Sequence, residues 1–183
     1  MMPVETLMNA RNLLDFWFNE TSPERWFNSD KIFDEQIRSR FSAIHYAAVR
    51  GELFGWRESV FGRLAEIIIL DQFSRNLFRG SPLSYASDGM ALVLAQELVK
   101  SADFCTLPVE KREFALLPYM HSESIAIHEI AIKLYQQYAS KQSLEFEIQH
   151  KQLIDKFGRY PHRNTTLKRR STPEEISWLK GQK

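Results

Sequence analysis

Three stretches of this sequence set charged, imidazole and amide side chains into otherwise apolar surroundings. The first is Asp71-Gln72-Phe-Ser-Arg75-Asn76, followed shortly by Arg79. It continues Leu64–Leu70, which is apolar apart from Glu66. Asp71 and Arg75 are four residues apart, as are Gln72 and Asn76, so each pair shares one face of a helix. A helix apolar on nearly all sides is a buried one, and an unpaired ion in a protein interior costs several kcal/mol. These groups must therefore be paired, hydrated or lining a cavity. An Asp71–Arg75 pair locking neighbouring helices and a polar wall facing a ligand both meet that requirement.

The second stretch is Pro118-Tyr-Met-His121-Ser122-Glu123. A helix starting at Ser122 gives that hydroxyl a capping role rather than a nucleophile's. It also puts Glu123 in the first turn, where the helix dipole favours a carboxylate. His121 then lies just outside the helix, free to face a cleft. His128 falls one heptad later, in the core or partly exposed. The third stretch is His150 on a helix, then Phe157-Gly158-Arg159-Tyr-Pro161-His162-Arg163-Asn164. Gly158 permits a sharp turn and Pro161 stiffens it. Two guanidinium groups, an imidazole and an amide fall within six residues. Arginine forks match the paired oxygens of a carboxylate or phosphate. A solvated basic surface is the plainer alternative, and Lys168-Arg169-Arg170 reads as just that.

If the three stretches meet, the chemistry is that of a small-anion site. Arg75, Arg159 and Arg163 would hold the anion, with Asp71, Gln72, Asn76, Arg79 and Asn164 beside them. His121, His150, His162 and Glu123 are the candidates for proton transfer near neutral pH. A mononuclear metal site from His121, His150 and Asp71 satisfies ligand type, but no spacing specifies it, and neither metal nor cofactor is assigned. Glycine-rich phosphate loops, His-Glu-x-x-His, Gly-x-Ser-x-Gly and dinucleotide fingerprints are all absent.

The elements that would position these groups read as helices, and no segment alternates with period two. A first helix is expected over Val4–Phe18, broken by Thr21-Ser-Pro23. Ser29 or Asp30 caps a long one carrying Phe33, Ile37, Phe41, Ile44 and Ala48, with Gly51 just past its end. A third runs from Arg57 to Leu77, and a fourth, capped by Ser87 or Asp88, reaches Lys100. A short one, Val109–Leu116, is closed by Pro118. Ser122 caps the next, which ends near Ser140, and another covers Leu144–Phe157. Thr172-Pro-Glu-Glu175 opens the last with a capping box. Seven or eight helices with short links predict an all-α fold of antiparallel hairpins in one domain over residues 1–183.

Composition agrees. The 183 residues are 44% hydrophobic and 26% charged, with thirteen Phe and four Trp to fill a core. No apolar run approaches the ~20 residues of a membrane span. The lone Cys105 forms no internal disulfide, fits a reducing compartment and reads as a small packed hydrophobe. A cytoplasmic location is expected. Residues 1–150 carry 15 Lys/Arg against 20 Asp/Glu, and residues 151–183 carry 9 against 3. Such a basic end implies an anionic partner or docking on the chain's own acidic body. With a net charge of +1, nucleic acid is not the expected partner.

At the same three stretches the sequence resembles the bacterial family called domain of unknown function 924. The matching motifs are Leu70–Asn76 with Arg79-Gly80, Pro118–Glu123, and Phe157–Asn164. Asp15–Phe18, Arg25–Phe27 and Ser171–Glu175 also fit, so the likeness covers nearly the whole chain. It implies an all-helical fold similar to tetratricopeptide-repeat superhelices, without sequence repeats, and no established activity. Two departures stand out. His128 replaces a usual Gln, and Lys168 replaces a usual Gly, which implies a different turn after Asn164. Two functions follow from the residues: a pocket for a small anionic metabolite, which could be catalytic, and a scaffold gripping a partner peptide. Extension of a buried helix by the polar groups favours the pocket.

Overall fold

Residues 9–182 are described by a computed structural model, and among them every regular element is helical. In chain order the α-helices are α1 (Ala10–Asp15), α2 (Pro23–Trp26), α3 (Lys31–Val49), α4 (Val60–Ile68), α5 (Ser74–Leu77), α6 (Asp88–Lys100), α7 (Val109–Met120), α8 (Ile125–Tyr138), α9 (Lys141–Phe157) and α10 (Pro173–Lys180). A π-helical turn, Ile69–Phe73, joins α4 to α5 without leaving right-handed helical backbone, so residues 60–77 form one rod. With the rod counted once, nine helices stand among the described residues against the seven or eight expected, because α2, a single turn behind Ser22-Pro23, is a helix of its own.

The rod is the centre of the molecule. Leu64, Ala65 and Ile67–Leu70 are wholly buried, and α1, α6 and α7 pack against α4 while α3 covers α5. Glu66 sits within this apolar rod because Arg57 reaches it with two hydrogen bonds, at 2.7 and 2.6 Å. Arg57 itself lies in a preceding 3-10 turn, and Ser59 caps the rod, accepting from Gly62 N. A Cβ at Gly62 would stand 1.9 Å from the Trp56 carbonyl oxygen, so only glycine fits there. One apolar cluster runs from Leu13 to Tyr135, with Trp17, Phe16, Phe33, Phe41 and Phe73 interlocked in it.

Beyond the rod, α6, α7, α8 and α9 pack as successive neighbours through short links. The tetratricopeptide likeness is only a loose description of this all-helical fold. Caps at Asp30, Thr172 and the left-handed Gly158 (φ +68°) stand as expected. Other boundaries moved. The first helix begins at Ala10, capped by Asn9, and Val4–Met8 lies outside the described residues. Pro118 does not close α7 but sits in its last turn, where only the bond from its missing N–H to Phe114 is lost. Ser124, not Ser122, precedes α8, because Ser122 is drawn into the link by His128 Nε2, 2.8 Å from its carbonyl. Ser140 caps α9, which therefore begins at Lys141 rather than Leu144. Cys105 is exposed rather than packed. No helix among the described residues is long and apolar enough to cross a membrane.

Candidate functional site

The π-turn widens the rod at Asp71, whose carboxylate is 1% exposed. Such turns replace the regular i→i−4 spacing with a wider one, re-aiming the side chains they carry. Asp71 Oδ1 lies 2.7 Å from His121 Nδ1, in the link between α7 and α8, and Oδ2 accepts from Gln72 Nε2. Arg75 is farther, with Nη1 3.4 Å from Oδ1. Its fork is given instead to Asp88 at the start of α6, at 3.0 and 3.1 Å, and it also donates to the Asp71 carbonyl at 2.6 Å. Arg163 Nη1 stands 3.5 Å from the same Asp88. The result is a row of alternating charge, Asp71–Arg75–Asp88–Arg163, with His121 at one end.

Burial alone would raise the Asp71 carboxyl, but His121 and Arg75 outweigh it and hold it below the usual carboxylate range. Burial also pushes the His121 imidazole down, more than Asp71 lifts it. At neutral pH the Arg75 guanidinium keeps the Asp71 carboxylate ionised, and burial keeps the His121 ring neutral. Nδ1–H donates to Asp71, and the lone pair is left on Nε2, which has no hydrogen-bond partner among the described residues. Asp88 is raised by burial despite Arg75.

Arg163 is the most exceptional member. Its guanidinium lies between the Tyr85 and Tyr160 rings, 4.6 Å from each centroid, and is only 6% exposed. Burial disfavours its charge more than Asp88 supports it. Its Nε has no hydrogen-bond partner among the described residues. Arg163, Asp88, His121, Ser122 and Glu123 border a cleft of about 360 Å³. His121 also borders a second, largely apolar cavity of about 600 Å³, on the side of α8 and α9.

The remaining candidates divide. Glu123 reaches the cleft, but its carboxylate is taken by Arg169 at 2.6 and 2.9 Å and by Tyr160 N at 2.8 Å. It is not in the first turn of a helix. Arg169, read from sequence as surface charge, is thus a structural cation that also donates to Asn164 and Tyr160 O. Arg159 faces away, gripping Glu175 at 2.7 and 2.9 Å, and Asn164 joins the same carboxylate at 3.2 Å. Those bonds hold Glu175 down at about 2. Asn76 and Arg79 are drawn to Asp34 on α3, at 2.9 Å and at 2.6 and 2.7 Å. His162 is exposed against Tyr160. His150 borders the apolar cavity, its Nδ1 2.7 Å from the Phe146 carbonyl. His128 is wholly buried, 2.6 Å from Glu147.

Lys168 adopts the left-handed conformation that glycine favours (φ +55°), so its presence does not call for a different turn. Asp88 and Tyr85 were not legible as site residues, since Ser87-Asp88 reads as an ordinary helix start. Among the described residues no three His, Cys, Asp or Glu side chains are grouped to hold a metal ion.

Comparison with known proteins agrees with this fold. A solved structure of a protein of unknown function from Agrobacterium tumefaciens, ATU0120, is similar at 38% identity and a TM-score of 0.87, over 93% of this chain and 96% of that one. No curated protein matches. The model of the family described as bacterial protein of unknown function (DUF924) matches residues 13–183, and the chain belongs to that family.

Proposed function

For this member of the family we propose that the cleft beside His121 binds a small molecule bearing a carboxylate or phosphate, and that His121 exchanges a proton with it. The supporting observation is Arg163, a cation at the cleft wall whose buried Nε has no hydrogen-bond partner among the described residues. A buried unsatisfied donor is costly, and an anion engaging the Arg163 guanidinium from the cleft would offset that cost with charge-assisted bonds. The row of charges behind it is neutral as a whole, so attraction rests on the Arg163 guanidinium at the cleft wall rather than on an excess of positive charge. His121 borders the same cleft, with Nε2 left as an acceptor and the ring oriented by Asp71 as a general base requires.

The test is calorimetric titration of the wild type and Arg163→Met with inorganic phosphate and with acetate. Methionine keeps the apolar stem between the two tyrosines, and Asp88 retains both bonds from Arg75. Saturable binding by the wild type, weakened at least tenfold in the variant with little change in melting temperature, is expected. No binding of either anion, or equal binding by both proteins, would overturn the reading.

A further inference from the structure

Five buried side-chain atoms among the described residues lack a hydrogen-bond partner: Trp17 Nε1, Arg112 Nε, Tyr135 Oη, Glu147 Oε2 and Arg163 Nε. Only Tyr135 and Arg163 belong to residues that border the two cavities meeting at His121. Arg163 is in the polar cleft. Tyr135, 1% exposed, is in the wall of the apolar cavity with Trp26, Phe114, Leu117 and Phe146. One residue, His121, thus borders both a space walled in part by Arg163 and a space walled by Tyr135 and apolar side chains. The apolar cavity holds about 600 Å³, within the ~300–1,000 Å³ usual for small-molecule sites. Its charged wall residues are Glu110 and Glu113, the latter engaged by Ser140 N at 2.7 Å. An anionic group would be repelled there and belongs on the Arg163 side.

We propose that the ligand is an amphipathic acid that lies across His121: its anionic head sits at Arg163, its hydrocarbon body fills the apolar cavity, and a polar atom on that body bonds Tyr135 Oη. This rests on the anion-binding reading and narrows it to acids with an apolar body large enough to occupy the second space. His150 stands in the same wall with Nδ1 turned to the Phe146 carbonyl, so its Nε2 is a second acceptor for a hydroxyl on the body.

The experiment titrates the protein with acetate, butanoate, hexanoate and octanoate, then with octanoate carrying a chain hydroxyl. Affinity should rise about three- to fourfold per methylene. Phe146→Glu puts a charge into the cavity from a half-exposed position on α9, so the fold should tolerate it. The variant should bind acetate as the wild type does and lose the gain with chain length. Tyr135→Phe, which removes only the hydroxyl, should abolish the preference for hydroxyoctanoate over octanoate. Equal affinity for acetate and octanoate would overturn this inference and leave the anion site standing. Tight octanoate binding unchanged in Arg163→Met would overturn the anion site instead. A chain-length trend that survives Phe146→Glu would mean adsorption elsewhere on the surface, and would also overturn the inference.

Discussion

Two regions of this molecule are built from the same residue types yet differ in what they leave over. In the C-terminal buckle, Glu175 accepts from Arg159, Asn164 and Thr172 N, and Glu123 accepts from Arg169 and Tyr160 N. Each arginine meets its carboxylate with a two-pronged grip at 2.6–2.9 Å. In the cleft, Arg163 touches Asp88 only at 3.5 Å with Nε unused, and His121 presents an unused Nε2. The first network is closed and fastens the C-terminal segment to the link between α7 and α8. The second is held from behind and open in front. Arginine, histidine and asparagine close together do not by themselves mark a site; residual hydrogen-bonding capacity on residues that border a cavity is the better guide.

The strongest way to break this comparison is to remove the back of the cleft. Asp71→Ala would leave His121 Nδ1–H and the Gln72 amide without their acceptor, while Arg75 keeps Asp88. We expect a loss of about 3 kcal/mol, two buried groups being left unsatisfied at roughly 1–3 kcal/mol each, measured by urea unfolding. A loss below about 1 kcal/mol would show that Asp71 is not structurally committed. The front of the cleft should behave oppositely. Arg163→Met should change stability by less than about 1 kcal/mol while lowering anion affinity roughly 10- to 100-fold, the worth of a hydrogen bond to a charged group.

The closed network offers a pH test. Arg159 holds the Glu175 carboxyl at about 2, below its unfolded value of about 4.3. A depressed carboxyl contributes stability that is complete above the unfolded value and is lost as pH falls toward the folded one. The wild type should therefore lose stability between about pH 4.3 and 2, and Glu175→Gln should lose less over that window. Anion binding should be the same in both. An acid limb of identical slope in the two proteins would remove Glu175 from the account. The smallest effect is at Lys168, whose left-handed backbone costs a non-glycine residue roughly 1 kcal/mol. Lys168→Gly should raise stability by about 0.5–1 kcal/mol, and destabilisation in thermal melts would contradict this.

Much of the fold was legible because its signals are local. Asp30 and Thr172 bond the N–H groups two or three residues on, and Gly158 turns the chain at its own position. Boundaries failed where a distant residue decided them. His128 holds the Ser122 carbonyl from within α8, and Pro118 survives in α7 because it costs one bond near a helix end. The site was legible in its parts but not in its assembly. His121, Asp71 and Arg163 stand out by type, yet nothing local distinguishes Arg163 from Arg159. That choice is made by Tyr85 and Asp88 on one side and Glu175 on the other, all remote in sequence or across a turn. Tyr135 and Phe146 read as parts of amphipathic helix faces, so the apolar cavity they border left no separate trace.

The most direct measurement follows arginine Nε–H signals by nitrogen-15 NMR while inorganic phosphate or octanoate is added. Arg163 Nε–H has no partner among the described residues, whereas Arg159 and Arg169 donate theirs to Glu175 and Asn164. Binding at the cleft should move the Arg163 resonance saturably and leave the other two in place. A stationary Arg163 signal, or equal shifts at all three arginines, would contradict a ligand site beside His121.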